Sequence, residues 1–199
     1  MIACSCYAPA YFVIREPFHM SVRLNLDEYA LLPIRPQDVE PIRIWRNSQI
    51  EVLRQKTLLS FDEQQAYFEK EVWPFLETAR PPQILFSFLY RGECIGYGGL
   101  THLDWEAKKA ELSFLVQPER ADESETYRQD FLAFLTLLCK AAFDSIQLHR
   151  IWAETFAYRT LHSSVLEEFG FKREGILRDH IFKKGRWWDS YLHGLIHEK

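Results

Sequence analysis

No apolar run in this chain reaches the roughly 18 residues that a helix needs to cross a bilayer, so a membrane-spanning protein is not expected. A basic excess is also missing: 28 Asp and Glu outnumber 24 Lys and Arg, for a formal charge of −4. Binding to a nucleic-acid backbone draws on a basic footprint, so nucleic acid is not the expected partner. The four cysteines, Cys4, Cys6, Cys94 and Cys139, contain no CxxC pair. A zinc site is therefore not expected, and scattered thiols of this kind suit a reducing cytoplasm. His193 and His197 share a strand face but lack a third ligand, so no metal role is assigned to them. Internal repeats and low-complexity tracts are absent too.

What is present is a core. Apolar residues make up 47% and aromatics 15% of 199 residues, enough for one folded domain. Residues 1–19 are apolar and aromatic but lack the basic start and small-residue cleavage site of a secretory signal. They read as an extension of unassigned function, with Met20 as a possible start and residues 20–199 as the domain.

Along the domain the apolar period changes several times. Residues 29–35 form a short strand run, and Pro36, Asp38 and Glu40 suit a helix start. Ser60 and Glu63 make a capping box for a second helix. Residues 84–90 are a buried strand run, Arg91-Gly92-Glu93 a tight turn, and residues 94–103 the returning strand. Gly96, Gly98 and Gly99 within it predict a bulge or a close backbone approach. Residues 110–116 alternate as a further strand. Tyr127, Phe131, Phe134, Leu135 and Leu138 lie on one helical stripe. Residues 149–156 form a strand, residues 161–168 a helix stopped at Gly170, and two strands joined near Gly185 close the chain. Together these predict an α+β fold: a mixed sheet of six to seven strands flanked by about four helices.

From Leu32 to Lys199 the order of elements and several motifs resemble GCN5-related N-acetyltransferases, in the branch of ribosomal-protein N-terminal and amino-sugar enzymes. The resemblance rests on Leu148-His149-Arg150-Ile151, on Leu166 to Gly175, on Arg178-Asp179-His180 with Trp187-Trp188-Asp189-Ser190, and on Trp45-Arg46-Asn47. It implies acetyl-CoA as cosubstrate, lying in a splay between the fourth and fifth strands. Phe114, Leu115 and Val116 would offer backbone to the pantetheine. An amine attacks the thioester directly, a base takes its proton, and backbone N–H groups stabilise the oxyanion. Glu154 is the candidate base, with Glu111 the second candidate and His162 a candidate proton donor to the departing thiolate.

The sequence departs from the family at the phosphate loop. The segment from Arg120 to Tyr127 has no glycine, and Glu123 and Glu125 stand at the glycine positions. Three outcomes are open. Arg120 and Arg128, with Arg159, hold the phosphates; the helix start near Tyr127 meets them; or the cofactor no longer binds. For the acceptor, Trp45, Arg46, Asn47 and Arg54 are the candidate binding residues, and the two arginines suit a diphosphate. The expected activity is acetylation of a small primary amine, most plausibly an amino-sugar or nucleotide-sugar. A protein N-terminus, an antibiotic amine or a non-catalytic binding module are the alternatives, and a homodimer is possible.

Overall fold

The computed structural model describes residues 23–198. The extension assigned to residues 1–19, Met20, Cys4 and Cys6 lie outside them. Leu24–Leu26 (β1) and Tyr29–Pro33 (β2) make a hairpin. A 3₁₀ turn, Pro36–Asp38, leads into helix α1, Val39–Ser48. After a 3₁₀ turn at Ile50–Val52 comes α2, Phe61–Glu71. Both bonds of its predicted capping box are made: Glu63 N–H donates to Ser60 Oγ at 3.2 Å, and Ser60 N–H donates to Glu63 Oε2 at 2.7 Å.

The sheet continues through β3 (Ile84–Tyr90), β4 (Glu93–Asp104) and β5 (Lys109–Val116). Two helices follow, the short α3 (Pro118–Asp122) and the long α4 (Ser124–Cys139). The chain then forms β6 (Arg150–Phe156), α5 (Thr160–Phe169), β7 (Lys172–Lys183) and β8 (Arg186–Ile196). Helix α5 ends where expected, with Gly170 at φ 117°, the left-handed position that glycine takes without a Cβ penalty. Among the described residues no helix is long and apolar enough to cross a membrane.

The eight strands lie in the order β1-β2-β3-β4-β5-β6-β8-β7. The sheet is mixed, as expected, and has one strand beyond the six to seven read from sequence. Strand β1 is only three residues long, too short to show a period of two. The expected fourth and fifth strands are thus β5 and β6. Among the described residues they are the one parallel pair, and their register stops at Glu111 and Trp152. Beyond that point β5 keeps β4 and β6 keeps β8, so the two strands part.

Period-two alternation sets what each face carries. Phe86, Phe88, Phe114, Ile151 and Ala153 face one core cluster with Phe131, Phe134 and Leu138 of α4 and Val165 and Leu166 of α5. Leu85, Tyr97 and Leu115 face a second cluster with Val39 and Ile42 of α1 and Phe68 of α2. The alternation also places Glu111, Ser113 and Glu154 on the α1–α2 face. Gly98 and Gly99 show the close approach predicted for them. A Cβ on Gly98 would stand 2.1 Å from the Ser113 carbonyl oxygen, and one on Gly99 2.0 Å from that of Ile84. No side chain fits at either position.

Candidate active site

A cavity of about 810 Å³ opens where β5 and β6 part. Glu111 and Glu154 meet in it, one from each strand. Arg54 arrives from the connection between α1 and α2 and holds both. Its Nη2 donates to Glu111 Oε1 at 2.5 Å and to Glu154 Oε2 at 2.8 Å, and its Nη1 to Glu111 Oε2 at 3.2 Å. Glu111 also has His102 Nδ1 at 2.8 Å, and its side chain is 6% exposed. Glu154 is less committed: among the described residues it has, besides Arg54, only His180 Nε2, at 3.5 Å. Both carboxylates were expected here from sequence; Arg54 as their common partner was not.

The connection is pinned so that Arg54 reaches inward. Asn47 Nδ2 donates to the Leu59 carbonyl at 2.8 Å, and Asn47 Oδ1 accepts from Leu59 N–H and Gln55 Nε2, each at 2.9 Å. Lys183 Nζ donates to the Ile50 carbonyl at 2.9 Å. Asn47 therefore shapes the loop, and Trp45 packs against the second core cluster. Neither lines the cavity, whereas Arg46 and Arg54 both do.

The cofactor-side residues divide as well. The Lys108 carbonyl accepts from Arg150 N–H at 3.1 Å, and the Val116 carbonyl from Gln49 Nε2 at 2.8 Å. Even-numbered residues of β5 thus aim their backbone toward β6. Past the β5–β6 register the Leu112 carbonyl and the N–H and C=O of Phe114 aim into the splay, while Leu115 faces β4 and the Val116 carbonyl is taken. Among the described residues Arg120 and Arg128 lie off the cavity lining. Arg120 Nε and Nη2 donate to Asp130 at 2.6 Å each, and Arg128 pairs with Glu168. Of the three arginines considered for the phosphates, only Arg159 lines the cavity.

His162 lines it too. Its Nδ1 is 2.6 Å from the Tyr127 hydroxyl, and Arg159 Nη2 lies 3.3 Å from both. Arginine only donates, so Nδ1 accepts and the ring proton sits on Nε2. Burial foremost, then Arg159 and His193, holds the His162 pKa well below its ordinary 6.5. The imidazole is neutral and offers an N–H for hydrogen bonding, not the imidazolium that a proton donor to thiolate requires. Tyr127 is buried, and burial raises its pKa. Its backbone N–H is used within α4, so it reaches this cluster through its hydroxyl.

A pH dependence of stability follows. Below about pH 6.5 the unfolded chain binds a proton at His162 that the native state refuses, so stability falls on acidification. The slope approaches roughly 1.4 kcal/mol per pH unit for this residue. Denaturant unfolding at pH 7.0 and 5.5 should show it, and His162→Phe, which preserves the stack on Phe131, should reduce the slope.

A family model described as an acetyltransferase (GNAT) domain matches residues 31–192. The chain belongs to the GNAT acetyltransferase family. It is accordingly an acyltransferase with acetyl-CoA as cosubstrate. It is similar to an uncharacterised N-acetyltransferase, YoaA, of Bacillus subtilis strain 168, at 24% identity over 188 residues, covering 87% of this chain and 96% of that protein. Its fold matches a spermidine N-acetyltransferase of Vibrio cholerae solved with CoA and spermine. That match has a TM-score of 0.73 at 20% identity and covers 86% of this chain and 96% of the other. A dodecameric structure of spermidine N-acetyltransferase from that organism gives a TM-score of 0.71 at 20% identity, over 86% and 95% of the two chains.

The splay suits the pantetheine end of the GNAT cosubstrate, because the Leu112 carbonyl and the Phe114 backbone aim into it beyond the last β5–β6 pair. The diphosphate end differs. Helix N-termini bind anions through free N–H groups, but here Glu123 caps α4 with its own carboxylate. It accepts from Thr126 N–H at 2.6 Å and from Glu125 N–H at 3.3 Å. Glu123 thus takes the donors that a glycine loop would leave open, and these contacts lower its pKa. Glu123→Ala should tighten acetyl-CoA roughly three- to tenfold, because it frees those amides and removes an opposing charge. The lost cap should lower the melting temperature by a few degrees. Calorimetry and thermal melts of the same samples check both outcomes; weaker binding would contradict this role for Glu123.

Proposed function

We propose that the chain acetylates a primary amine on a small molecule, with Glu154 as proton acceptor. The observation that carries the reading is the convergence of Glu111 and Glu154, from the two parting strands, on Arg54 inside the cavity. Acetyl-CoA supplies the thioester carbonyl carbon when bound. The chain supplies the rest. Arg54 holds both carboxylates in place and balances part of their charge. Glu154, with fewer partners than Glu111, has the freer oxygen to take the amine proton. Glu111, itself paired with His102, fixes the guanidinium. His162, set by Tyr127 and Arg159, presents an N–H toward the splay.

The cavity volume suits a cosubstrate arm and a small acceptor better than an extended peptide. An amino-sugar or nucleotide-sugar stays within this reading. A two-arginine diphosphate clamp has less support, because Arg54 is committed to the carboxylates. A polyamine is the second reading: Glu71, Glu111 and Glu154 all line the cavity, and the fold is that of spermidine acetyltransferases. Self-association belongs to the same reading, since Phe182 and Trp187 on the β7–β8 hairpin are more than half exposed; sedimentation checks it.

The test is incubation with acetyl-CoA and a panel of small amines, with mass-spectrometric detection of the acetylated product. Acetylation of at least one amine is expected. Bound acetyl-CoA with no acetylated amine would favour a binding module on the same fold.

A further inference from the structure

We infer that the acceptor carries an oxyanion, a carboxylate or a phosphate, that seats on Arg46 in a side pocket of the cavity. The inference rests on the acetyltransferase reading for the amine end and on separate observations for the anion end. A second cavity of about 260 Å³ adjoins the first, and both are lined by Arg46, Tyr67, Gln83, Thr101 and Ser113.

Arg46 is the cation of this side pocket. Its Nε donates to Gln55 Oε1 at 3.1 Å and its Nη1 to the Tyr97 hydroxyl at 2.5 Å. Both partners are neutral. Among the described residues no carboxylate lies within ion-pair distance of Arg46, and its Nη2 makes no hydrogen bond. Arg54, on the connection that follows α1, is by contrast shared between two acids. A half-buried guanidinium held by neutral partners keeps its full charge and two directed N–H groups, the fork that matches carboxylate and phosphate oxygens.

A second residue points the same way. Gln64, on the inward face of α2, is 3% exposed and lines the side pocket. Among the described residues its side chain makes no hydrogen bond. Its amide opens into the pocket, where a bound group can take up its donor and acceptor. Glu63 is the one carboxylate on this lining; it is exposed and committed through Oε2 to the Ser60 N–H. It lies at the helix start, not against Arg46.

The spacing sets the acceptor's size. Ser113, shared by both cavities, is two residues from Glu111 on the same face of β5, about 7 Å along the strand. The amine at the carboxylates and the anion at Arg46 are therefore separated by a few bonds. A polycation has no use for this pocket, because Arg46 repels it.

The test uses binding, which is read independently of turnover. Calorimetry of the full chain with phosphoethanolamine, 4-aminobutyrate, ethanolamine and spermidine compares a phosphate, a carboxylate, a neutral and a polycationic amine. At least tenfold preference for one of the two anionic amines over ethanolamine is expected, and the stronger of the two names the anion. Arg46→Met should abolish that preference, Arg46→Lys should restore part of it, and Gln64→Leu should weaken it. Melting curves confirm that the variants are folded. Equal binding of ethanolamine, tighter binding of spermidine, or a preference that survives in Arg46→Met would overturn the inference. Acetyl transfer to the same four amines tests the acetyltransferase reading separately: anionic amines that bind but are not acetylated would contradict that reading and leave the oxyanion site standing.

Discussion

Replacing Glu154 with glutamine is expected to lower kcat by a hundredfold or more while leaving acetyl-CoA affinity within about twofold. The first figure is the ordinary contribution of a positioned general base, roughly 10² to 10⁴ in rate. The second follows from geometry: Glu154 sits on the acceptor face with Arg54 and His180, whereas the splay backbone that would hold pantetheine belongs to Leu112 and Phe114. Glutamine keeps the shape and can still accept from Arg54, so the variant should fold. Glu111→Gln is expected to do less to kcat and more to stability. Glu111 is nearly buried and makes three contacts, so its loss disturbs both Arg54 and His102. If instead Glu111→Gln removes activity and Glu154→Gln does not, the two carboxylates exchange roles. Steady-state rates on the best amine of the panel, beside cofactor titrations, separate these cases.

The largest expected effect on stability comes from a residue remote from the chemistry. Asp130 is fully buried in α4. It accepts from Arg120 at 2.6 Å twice and from the Tyr29 hydroxyl at 2.8 Å, tying α3, α4 and β2 together. Burial, and secondarily Asp130, raises the Tyr29 pKa, so the phenol stays a donor. Asp130→Ala would strand a phenol and a mostly buried guanidinium. Breaking a buried pair this way costs roughly 3–5 kcal/mol, and the partial exposure of Arg120 puts the expectation at the lower end, about 3 kcal/mol. For a chain of this size that is a fall in melting temperature of roughly 6–12 °C. A drop of under about 2 °C would mean that Arg120 finds other partners. The same variant asks whether an unpaired Arg120 reaches the cofactor, since acetyl-CoA affinity should then rise.

These two residues mark where sequence was informative and where it was not. Glu154 and Glu111 were legible because both strands were plain in the apolar pattern and the family resemblance implies a base on the strands beside the splay. The Ser60 capping box and the stop at Gly170 were legible because their chemistry is local. The partners were not. Arg54 lies 57 residues from Glu111 and 100 from Glu154, and no local pattern links them. Asp130 lies ten residues from Arg120, and no local pattern links the two, so Arg120 was left free to hold phosphates. Glu123 was recognised as the wrong residue for a glycine loop, but its role as the cap of α4 depends on the short helix α3 turning the chain there. His102 reaches Glu111 only because β4 slips register between Thr101 and Asp104, with His102 itself at φ 49°. The half-buried thiols of Cys94 and Cys139 are each pushed up to about 12 chiefly by desolvation.

The central claim is that the parting of β5 and β6 remains a working acetyl-CoA site although Glu123 occupies the usual anion position. Calorimetric titration of the full chain with acetyl-CoA tests it most directly. A saturable one-to-one isotherm is predicted, with a dissociation constant between roughly 1 μM and 1 mM, the ordinary range for an enzyme substrate. No heat at millimolar acetyl-CoA, together with an unchanged melting temperature, would contradict it.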